Sequence, residues 1–246
     1  MARTPISLAA EEIAYARSLV IFEDAQVLAL NKPAGVSSQG GRIKARTLDD
    51  LLWAFARSNG KRPELVHRLD RDTSGVILAA KTKPAAAALG KALMARKMAK
   101  TYVALVGGGA PEPPEGRIDT PLRREEVGRQ TWMRACAPDH PDAETALTRY
   151  RTLAAGQGAA ELELHPETGR MHQLRVHLAS LGRPILGDAR YGGALTAGGA
   201  AVPRLMLHAR ALSFPHPEDG RPATVEAPLP EDLLAVAARL RLSPPA

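Results

Sequence analysis

Residues 66–75 read VHRLDRDTSG, and residues 76–80 continue as the apolar run VILAA. This junction decides the fold, because a dense polar block is followed at once by a short apolar run that predicts a buried strand. Gly75 can adopt backbone angles that are closed to other residues, so it suits a sharp turn into that strand. The polar block is therefore predicted to sit at the strand's end, held rigidly and open to a cleft.

The carboxylates of this block are its most reactive groups. Asp70 and Asp72 are flanked by Arg68 and Arg71, and neighbouring positive charge favours an ionised carboxylate. An ionised carboxylate on a fixed backbone can act as a nucleophile or as a base. The same charges could instead form an Arg–Asp network that closes a turn, and the charge pattern alone favours that structural interpretation.

The composition narrows the class of protein. A chain of 246 residues with 45% hydrophobic residues can bury a proper core, and a net charge of +7 is compatible with a polyanionic partner such as nucleic acid. Cys136 is the single cysteine, which excludes an intramolecular disulfide and a cysteine-rich zinc site. No stretch approaches the ~20 apolar residues of a membrane span, and the N-terminus lacks a secretion-signal pattern. These features predict a cytoplasmic protein.

A second dense block, residues 168–178, reads TGRMHQLRVHL. Its apolar residues and His177 share one helical face, so His177 is predicted to be a core histidine and Arg175 to point elsewhere. His165, His172 and His177 raise the possibility of a metal site, but their spacing fits no familiar zinc pattern. No metal is therefore predicted.

The rest of the chain predicts short strands and helices joined by turns. Residues 31–35 read NKPAG, a tight turn from which Lys32 is predicted to project. Residues 117–142 are polar and arginine-rich, and they predict an irregular loop that either contacts RNA or is simply solvated. Strands are predicted at residues 19–22, 27–30, 101–106, 147–153 and 159–164, and helices at residues 9–16, 48–55, 85–98 and 233–240. Locally paired strands with a few helices favour an α+β sheet protein.

These blocks resemble, in the same order, the signature blocks of the RluA-type RNA pseudouridine synthases. The resemblance runs from about Leu19 to about Leu229. The matching strings are NKPAG at residues 31–35, HRLD-x-x-TSG at 67–75, K-x-Y-x-A-L-V at 100–106, TGR-x-HQLR-x-H at 168–177 and L-x-LHA-x-x-L-x-F-x-HP at 205–217. The GHPI-x-GD…YG pattern of the family is also similar to residues 182–192.

The resemblance implies roles for individual residues. Asp70 matches the catalytic aspartate, Tyr102 the tyrosine that lies against the target base, and Arg175 the arginine that pairs with that aspartate. A guanidinium can hold a carboxylate charged and oriented through two hydrogen bonds. The further substrate-binding candidates are Arg68, beside the space that the flipped base leaves, and Leu207, in the wall of the uracil pocket or simply in the core. Lys32, Arg170 and Gln173 are candidates either for contacts with RNA or for structural roles.

The resemblance also implies the architecture. We expect an α+β fold with a long, bent, mixed and largely antiparallel sheet, flanking helices and a central active-site cleft. Residues 1–18 are predicted to be an N-terminal extension and residues 19–246 one catalytic domain. An S4 RNA-binding domain, which many relatives carry, does not fit into that extension. We expect a monomer with RNA as its partner, no membrane association, no metal and no cofactor.

The implied reaction converts uridine to pseudouridine within RNA. Asp70 would attack C1′ or remove the proton from C2′, and the sequence does not separate these routes. The expected target is 23S ribosomal RNA, with transfer RNA, or both, as the alternative. A non-catalytic RNA-binding module of ribosome assembly would predict loss of Asp70, Tyr102 or Arg175, and all three are present. An RNA glycosidase or metal-assisted hydrolase would need a water-activating group that the sequence does not offer.

Overall fold

The computed structural model describes residues 6–40, 46–156 and 158–244. Residues 1–5 of the predicted N-terminal extension lie outside these ranges. The chain divides into two compact units. Unit 1 contains the described residues up to Met98 together with Ala209–Pro228, and unit 2 contains those of Ala99–His208 and from Leu229 onward.

The helices and strands alternate along the chain. The strands are β1 Val20–Glu23, β2 Val27–Lys32, β3 Glu64–Leu65, β4 Ser74–Ala80, β5 Ala99–Gly107, β6 Glu115–Ile118, β7 Leu122–Val127, β8 Gln130–Ala135, β9 Thr148–Gly156, β10 Ala159–Pro166, β11 Thr196–Ala197, β12 Ala200–Ala201, β13 Leu207–Pro215 and β14 Pro222–Glu226. The α-helices are α1 Ala10–Ser18, α2 Leu48–Leu51, α3 Lys83–Met94, α4 Gln173–Ser180 and α5 Glu231–Arg239, and Leu52–Phe55 form a 3₁₀ turn.

Unit 1 is built around β4. This strand pairs antiparallel with β2, from Val27 opposite Ala80 to Lys32 opposite Gly75, and β1 pairs with the other edge of β2. β3 and β13 also neighbour β4, and β14 pairs with β13. Every residue of β4 is buried, which explains why its sequence is continuously apolar after Gly75 rather than alternating.

Helix α3 covers the core of unit 1. The Thr82 side chain caps its first turn by accepting from Ala85 N–H at 3.2 Å, and Pro84 fits the first turn because its missing N–H is not needed there. Leu89 packs into the apolar cluster that β2 and β4 also line. The helix ends at Met94, earlier than the predicted residue 98, because the chain turns at Arg96, which has a left-handed φ of 54°.

Unit 2 contains a second set of antiparallel strands in the order β5, β10, β9, β6. The predicted strand pair at residues 147–153 and 159–164 is confirmed as β9 and β10. Helix α4 is buried along Gln173–Leu178. His177 is completely buried and hydrogen-bonds Thr148 Oγ1 and Thr120 O, both at 2.9 Å, so its prediction as a core histidine is confirmed.

The prediction of an irregular loop over residues 117–142 is wrong for much of that segment. It contains the end of β6 and the regular hairpin β7–β8, paired from Leu122 opposite Ala135 to Val127 opposite Gln130. The strands were not recognised because Leu122 and Met133 are their only two fully buried residues, while charged residues pair on the exposed face. A two-stranded ribbon with one buried residue per strand shows no apolar alternation.

The predicted α+β class is confirmed, with a large sheet and few helices. No helix in the described ranges is long and apolar enough to cross a membrane.

Candidate active site

Asp70 lies in the loop immediately before β4 and is half-buried. Its preceding neighbour, Leu69, is held by one buried side chain: Ser38 Oγ donates to Leu69 C=O at 2.7 Å and accepts from Leu69 N–H at 3.0 Å. A single hydroxyl thus satisfies both backbone groups of Leu69, which leaves the backbone on the N-terminal side of Asp70 little freedom.

The backbone on the other side of Asp70 is held equally well. The Arg71 carbonyl accepts from Gly35 N–H at 2.9 Å and from Lys32 Nζ at 3.0 Å. Thr73 N–H donates to the Asp70 carbonyl at 3.2 Å and closes a turn. Because both neighbours of Asp70 are fixed by the segment 32–38, its carboxylate is carried by a rigid backbone, as a catalytic group requires.

Lys32 has a different position from the predicted one. It is completely buried at the end of β2, and its Nζ donates to the carbonyls of Pro33 at 2.9 Å, Val36 at 2.8 Å and Arg71 at 3.0 Å. A buried ammonium group is costly unless its N–H groups have acceptors, and here three carbonyls supply them. The prediction that Lys32 projects from the turn is therefore wrong; its side chain folds back and joins the NKPAG turn to the Asp70 loop.

Gly75 makes the sharp start of β4 that the sequence predicted. Its φ is +112°, and a Cβ atom built on it would lie 2.2 Å from the carbonyl oxygen of Ala209. Only glycine fits both the backbone angle and the close approach of that carbonyl. The polar loop and the buried strand can therefore follow each other without a spacer.

Arg175 lies on α4 in unit 2, and its side chain makes a bidentate ion pair with Asp188. Nε donates to Asp188 Oδ2 and Nη2 to Oδ1, both at 2.8 Å. The two side chains are only 9% and 1% exposed. This is the two-point geometry in which a guanidinium holds a carboxylate most firmly, so it fixes the orientation of Arg175.

Asp188 was missed as a functional residue by the sequence analysis. Besides Arg175, its Oδ1 accepts the backbone N–H groups of Arg190 at 3.1 Å and Tyr191 at 3.2 Å. The signal available in the sequence was the Gly187-Asp188 pair within the block that resembles the family pattern. That similarity identified the block but did not indicate which side chain the Asp188 carboxylate binds.

Gln173 and Arg170 hold the loop that leads into α4. Gln173 is buried; its Oε1 accepts from Thr168 Oγ1 at 2.7 Å and Arg170 N–H at 3.1 Å, while its Nε2 donates to Leu147 O at 2.9 Å. Arg170 is partly exposed, donates from Nε to Thr145 O at 3.0 Å and pairs with Glu144. These contacts give Gln173 a structural role, whereas the Arg170 guanidinium retains some access to solvent.

The remaining candidates differ in exposure. Arg68 is exposed, next to the Asp70 loop in unit 1. In unit 2, Tyr102 is buried on β5 opposite Leu164 of β10, and Leu207 is buried at the start of β13. Within the described ranges, no three His, Cys, Asp or Glu side chains are grouped as a possible metal-ligand set.

Comparison with known proteins identifies relatives over most of the chain. The model of the family described as RNA pseudouridylate synthase matches residues 26–180. The chain is 35% identical to the ribosomal large subunit pseudouridine synthase D of Zymomonas mobilis, covering 91% of this chain and 73% of that protein. It is 38% identical to the dual-specificity RNA pseudouridine synthase RluA of Escherichia coli K12, covering 85% of this chain and 92% of that protein.

A solved structure extends the similarity to the fold. Human RNA pseudouridylate synthase domain containing 4 superposes with a TM-score of 0.79 at 28% identity, covering 96% of this chain and 99% of that one. Nearly the full length of both chains therefore shares one fold.

Proposed function

We propose that this chain, which belongs to the RNA pseudouridylate synthase family, isomerises uridine to pseudouridine in RNA with Asp70 as its catalytic carboxylate. The family resemblance inferred from the sequence blocks is confirmed. The observation that carries the role of Asp70 is its position between Leu69, held by Ser38, and Arg71, held by Lys32 and Gly35. A carboxylate that must meet one atom of a bound nucleotide benefits from such a fixed backbone.

The reaction balances without a co-reactant. The N1–C1′ bond of the nucleotide breaks, the detached uracil turns, C5 bonds to C1′, C5 loses its proton and N1 gains one. A carboxylate can serve it by attacking C1′ or by removing the C2′ proton, and in both cases it must be ionised and oriented. The reaction therefore requires no redox or group-donating cofactor, and the proposed mechanism assigns no step to a metal.

The other residues complete the proposed machinery. Tyr102 packs on the uracil and moves a proton, Arg175 holds Asp70, and Leu207 forms part of the uracil pocket. The target base is stacked in folded RNA, so it must be flipped out, and exposed Arg68 fills the vacated space. Arg170 contributes a contact to the RNA backbone. Water must be kept out while the uracil is detached, because hydrolysis would leave an abasic sugar.

The proposed substrate is 23S ribosomal RNA, with transfer RNA as the alternative. The name of the Zymomonas mobilis relative assigns that protein to the large ribosomal subunit, whereas that of the Escherichia coli relative describes a dual-specificity enzyme. A net charge of +7 supports binding to RNA phosphates that weakens as salt rises. We further propose a cytoplasmic monomer whose catalytic domain spans residues 19–246.

The first experiment compares Asp70→Asn with Asp72→Asn. Asp72 belongs to the same loop, but its side chain is 49% exposed and pairs with Arg71 on the surface. Pseudouridine formation in ribosomal RNA transcripts is expected to fall at least about 1,000-fold in Asp70→Asn, the scale of losing a central catalytic group. The Asp72→Asn variant should stay within threefold of the wild type. Comparable activity in Asp70→Asn and wild type would end the assignment of Asp70.

Mapping pseudouridines in a strain that lacks the protein identifies the target. We expect one or more unmodified uridines in 23S ribosomal RNA that wild-type protein restores and Asp70→Asn does not. Unmodified sites confined to transfer RNA would select the alternative substrate. Restoration by both proteins would show that Asp70 is not the catalytic residue. If no site changes in the strain, either another enzyme is redundant with this one or the protein is the non-catalytic RNA-binding module.

A further inference from the structure

The turn formed by residues 188–191 completes the outer edge of the hairpin β7–β8. Arg190 Nη2 donates to the Thr131 carbonyl, and Met133 N–H donates to the Tyr191 hydroxyl at 3.3 Å. Thr131 and Met133 are alternate residues of β8, so their backbone groups point to the same edge of the strand, the one that does not pair with β7. Two side chains of the turn thus take the place of a third strand.

The same turn holds Arg175 on its other side. Asp188 binds the Arg175 guanidinium and the backbone N–H of Tyr191 with one carboxylate. The Tyr191 ring lies under that guanidinium, with Arg175 Cζ 4.9 Å from the ring centroid. Its hydroxyl is also 2.8 Å from His172 Nδ1, at the start of α4. Tyr191 therefore contacts both the hairpin and the arginine.

Trp132 reinforces the connection from the hairpin. Its ring meets the Tyr191 ring edge-on with centroids 5.6 Å apart, and the Arg190 guanidinium stacks on it at 4.3 Å. Burial raises the pKa of the Tyr191 phenol, which keeps it protonated and able to donate one hydrogen bond while accepting another. The edge-on ring pair and the two hydrogen bonds to the edge of β8 therefore give the hairpin and the turn several contacts, so a displacement of one bears on the other.

We propose that Tyr191 is a positioning residue that ties the orientation of Arg175 to the placement of the hairpin β7–β8. The proposal rests on the proposed function, in which Arg175 belongs to the catalytic set. The hairpin carries Arg123, Arg124, Arg129 and Arg134, side chains that suit RNA phosphates. RNA that draws the hairpin into place then also sets Arg175, so a uridine in a poorly fitting RNA meets a less active site.

The test separates rate from binding in Tyr191→Phe, which keeps the ring over Arg175 and removes only the hydroxyl. The matched control is Tyr150→Phe, since the buried Tyr150 on β9 makes a comparable hydroxyl bond to Pro113 O at 3.2 Å. At saturating RNA, the single-turnover rate of Tyr191→Phe is expected to fall about tenfold while its RNA dissociation constant stays within twofold. The Tyr150→Phe variant should change neither value more than twofold.

A double-mutant cycle with Trp132→Ala measures the coupling, and the single variant Trp132→Ala still tests the connection if Tyr191→Phe folds poorly. Alone, Trp132→Ala should slow the reaction; combined with Tyr191→Phe, it should add less than a further threefold, because both substitutions cut the same connection. Multiplicative rate losses, or a lowered melting temperature with an unchanged rate, would overturn the proposal. The variant Arg175→Lys separates a failure of the coupling from a failure of the proposed function of Arg175. If Arg175→Lys slows the reaction and Tyr191→Phe does not, only the coupling is wrong. If Arg175→Lys reacts at the wild-type rate, both the role of Arg175 and the coupling are wrong.

Discussion

Replacing Asp188 with asparagine tests whether the buried ion pair with Arg175 serves catalysis as well as folding. The substitution keeps the size of the side chain and removes its charge, so the guanidinium, whose side chain is 9% exposed, loses the bidentate carboxylate of Asp188. Removing one partner of a buried pair destabilises a protein by about 3–5 kcal/mol, because the other charge stays buried. This is a large part of the ~5–15 kcal/mol by which domains are usually stable.

A second ion pair in the chain provides a matched control. Arg62 donates from Nη1 and Nη2 to the two carboxylate oxygens of Asp49 at 3.2 and 3.0 Å. Those side chains are 9% and 3% exposed, nearly the same as Arg175 and Asp188. The Asp49→Asn variant should therefore lose a similar free energy of unfolding, although Asp49 has no proposed role in the reaction.

The assay combines urea unfolding of both variants with single-turnover pseudouridine formation well below their unfolding midpoints. Both should lose about 3–5 kcal/mol of stability. The rate of Asp188→Asn should fall about 10- to 100-fold, which corresponds to about 1.4–2.7 kcal/mol of lost transition-state stabilisation. The rate of Asp49→Asn should stay within threefold. Equal rate losses in the two variants, or none in Asp188→Asn, would refute the reasoning.

Three further predictions concern the loop before β4 and the core of unit 2. Gly75→Ala should lower the free energy of unfolding in urea by at least about 3 kcal/mol, since strain at positive φ adds to the contact of 2.2 Å with the Ala209 carbonyl oxygen. Gly60→Ala, at φ +75° with nothing within 4 Å of the added Cβ, should lower it by only about 1 kcal/mol, and equal losses would contradict this. Ser38→Ala leaves both backbone groups of Leu69 without their shared partner, so it should destabilise the protein by about 2–4 kcal/mol and slow pseudouridine formation. Unchanged unfolding and an unchanged rate would show that Ser38 does not hold the Asp70 loop in place. Burial lowers the pKa of His177, so below about pH 6.5 the unfolded chain binds more protons than the folded one, and the free energy of unfolding should fall as the pH drops through that value. The free energy of unfolding of His177→Gln should fall less steeply with pH, and identical slopes would exclude this contribution.

Local sequence predicted the parts of the site whose geometry is set by neighbouring residues. The start of β4 followed from Gly75, because a positive φ and a close backbone contact leave one residue type. The position of Asp70 at the end of a buried strand followed from the polar block and the apolar run after it. The side-chain direction of Lys32 did not follow, because a turn sequence predicts exposure unless three carbonyls converge on the ammonium.

The hairpin β7–β8 and the ion pair between Arg175 and Asp188 could not be predicted from the sequence, and the reason is the same for both. The outer edge of β8 and the Arg175 guanidinium are both satisfied by the turn at residues 188–191, which is distant from the hairpin in sequence. The local sequence of the arginine-rich strands does not indicate that contact, and neither does the Gly187-Asp188 pair. A chain segment that appears polar and irregular can thus be held by a distant turn, here the one that also binds the proposed catalytic residue Arg175. It follows that substitutions in this turn should act on rate and on hairpin order together, whereas substitutions in the loop that holds Asp70 should leave the hairpin unchanged.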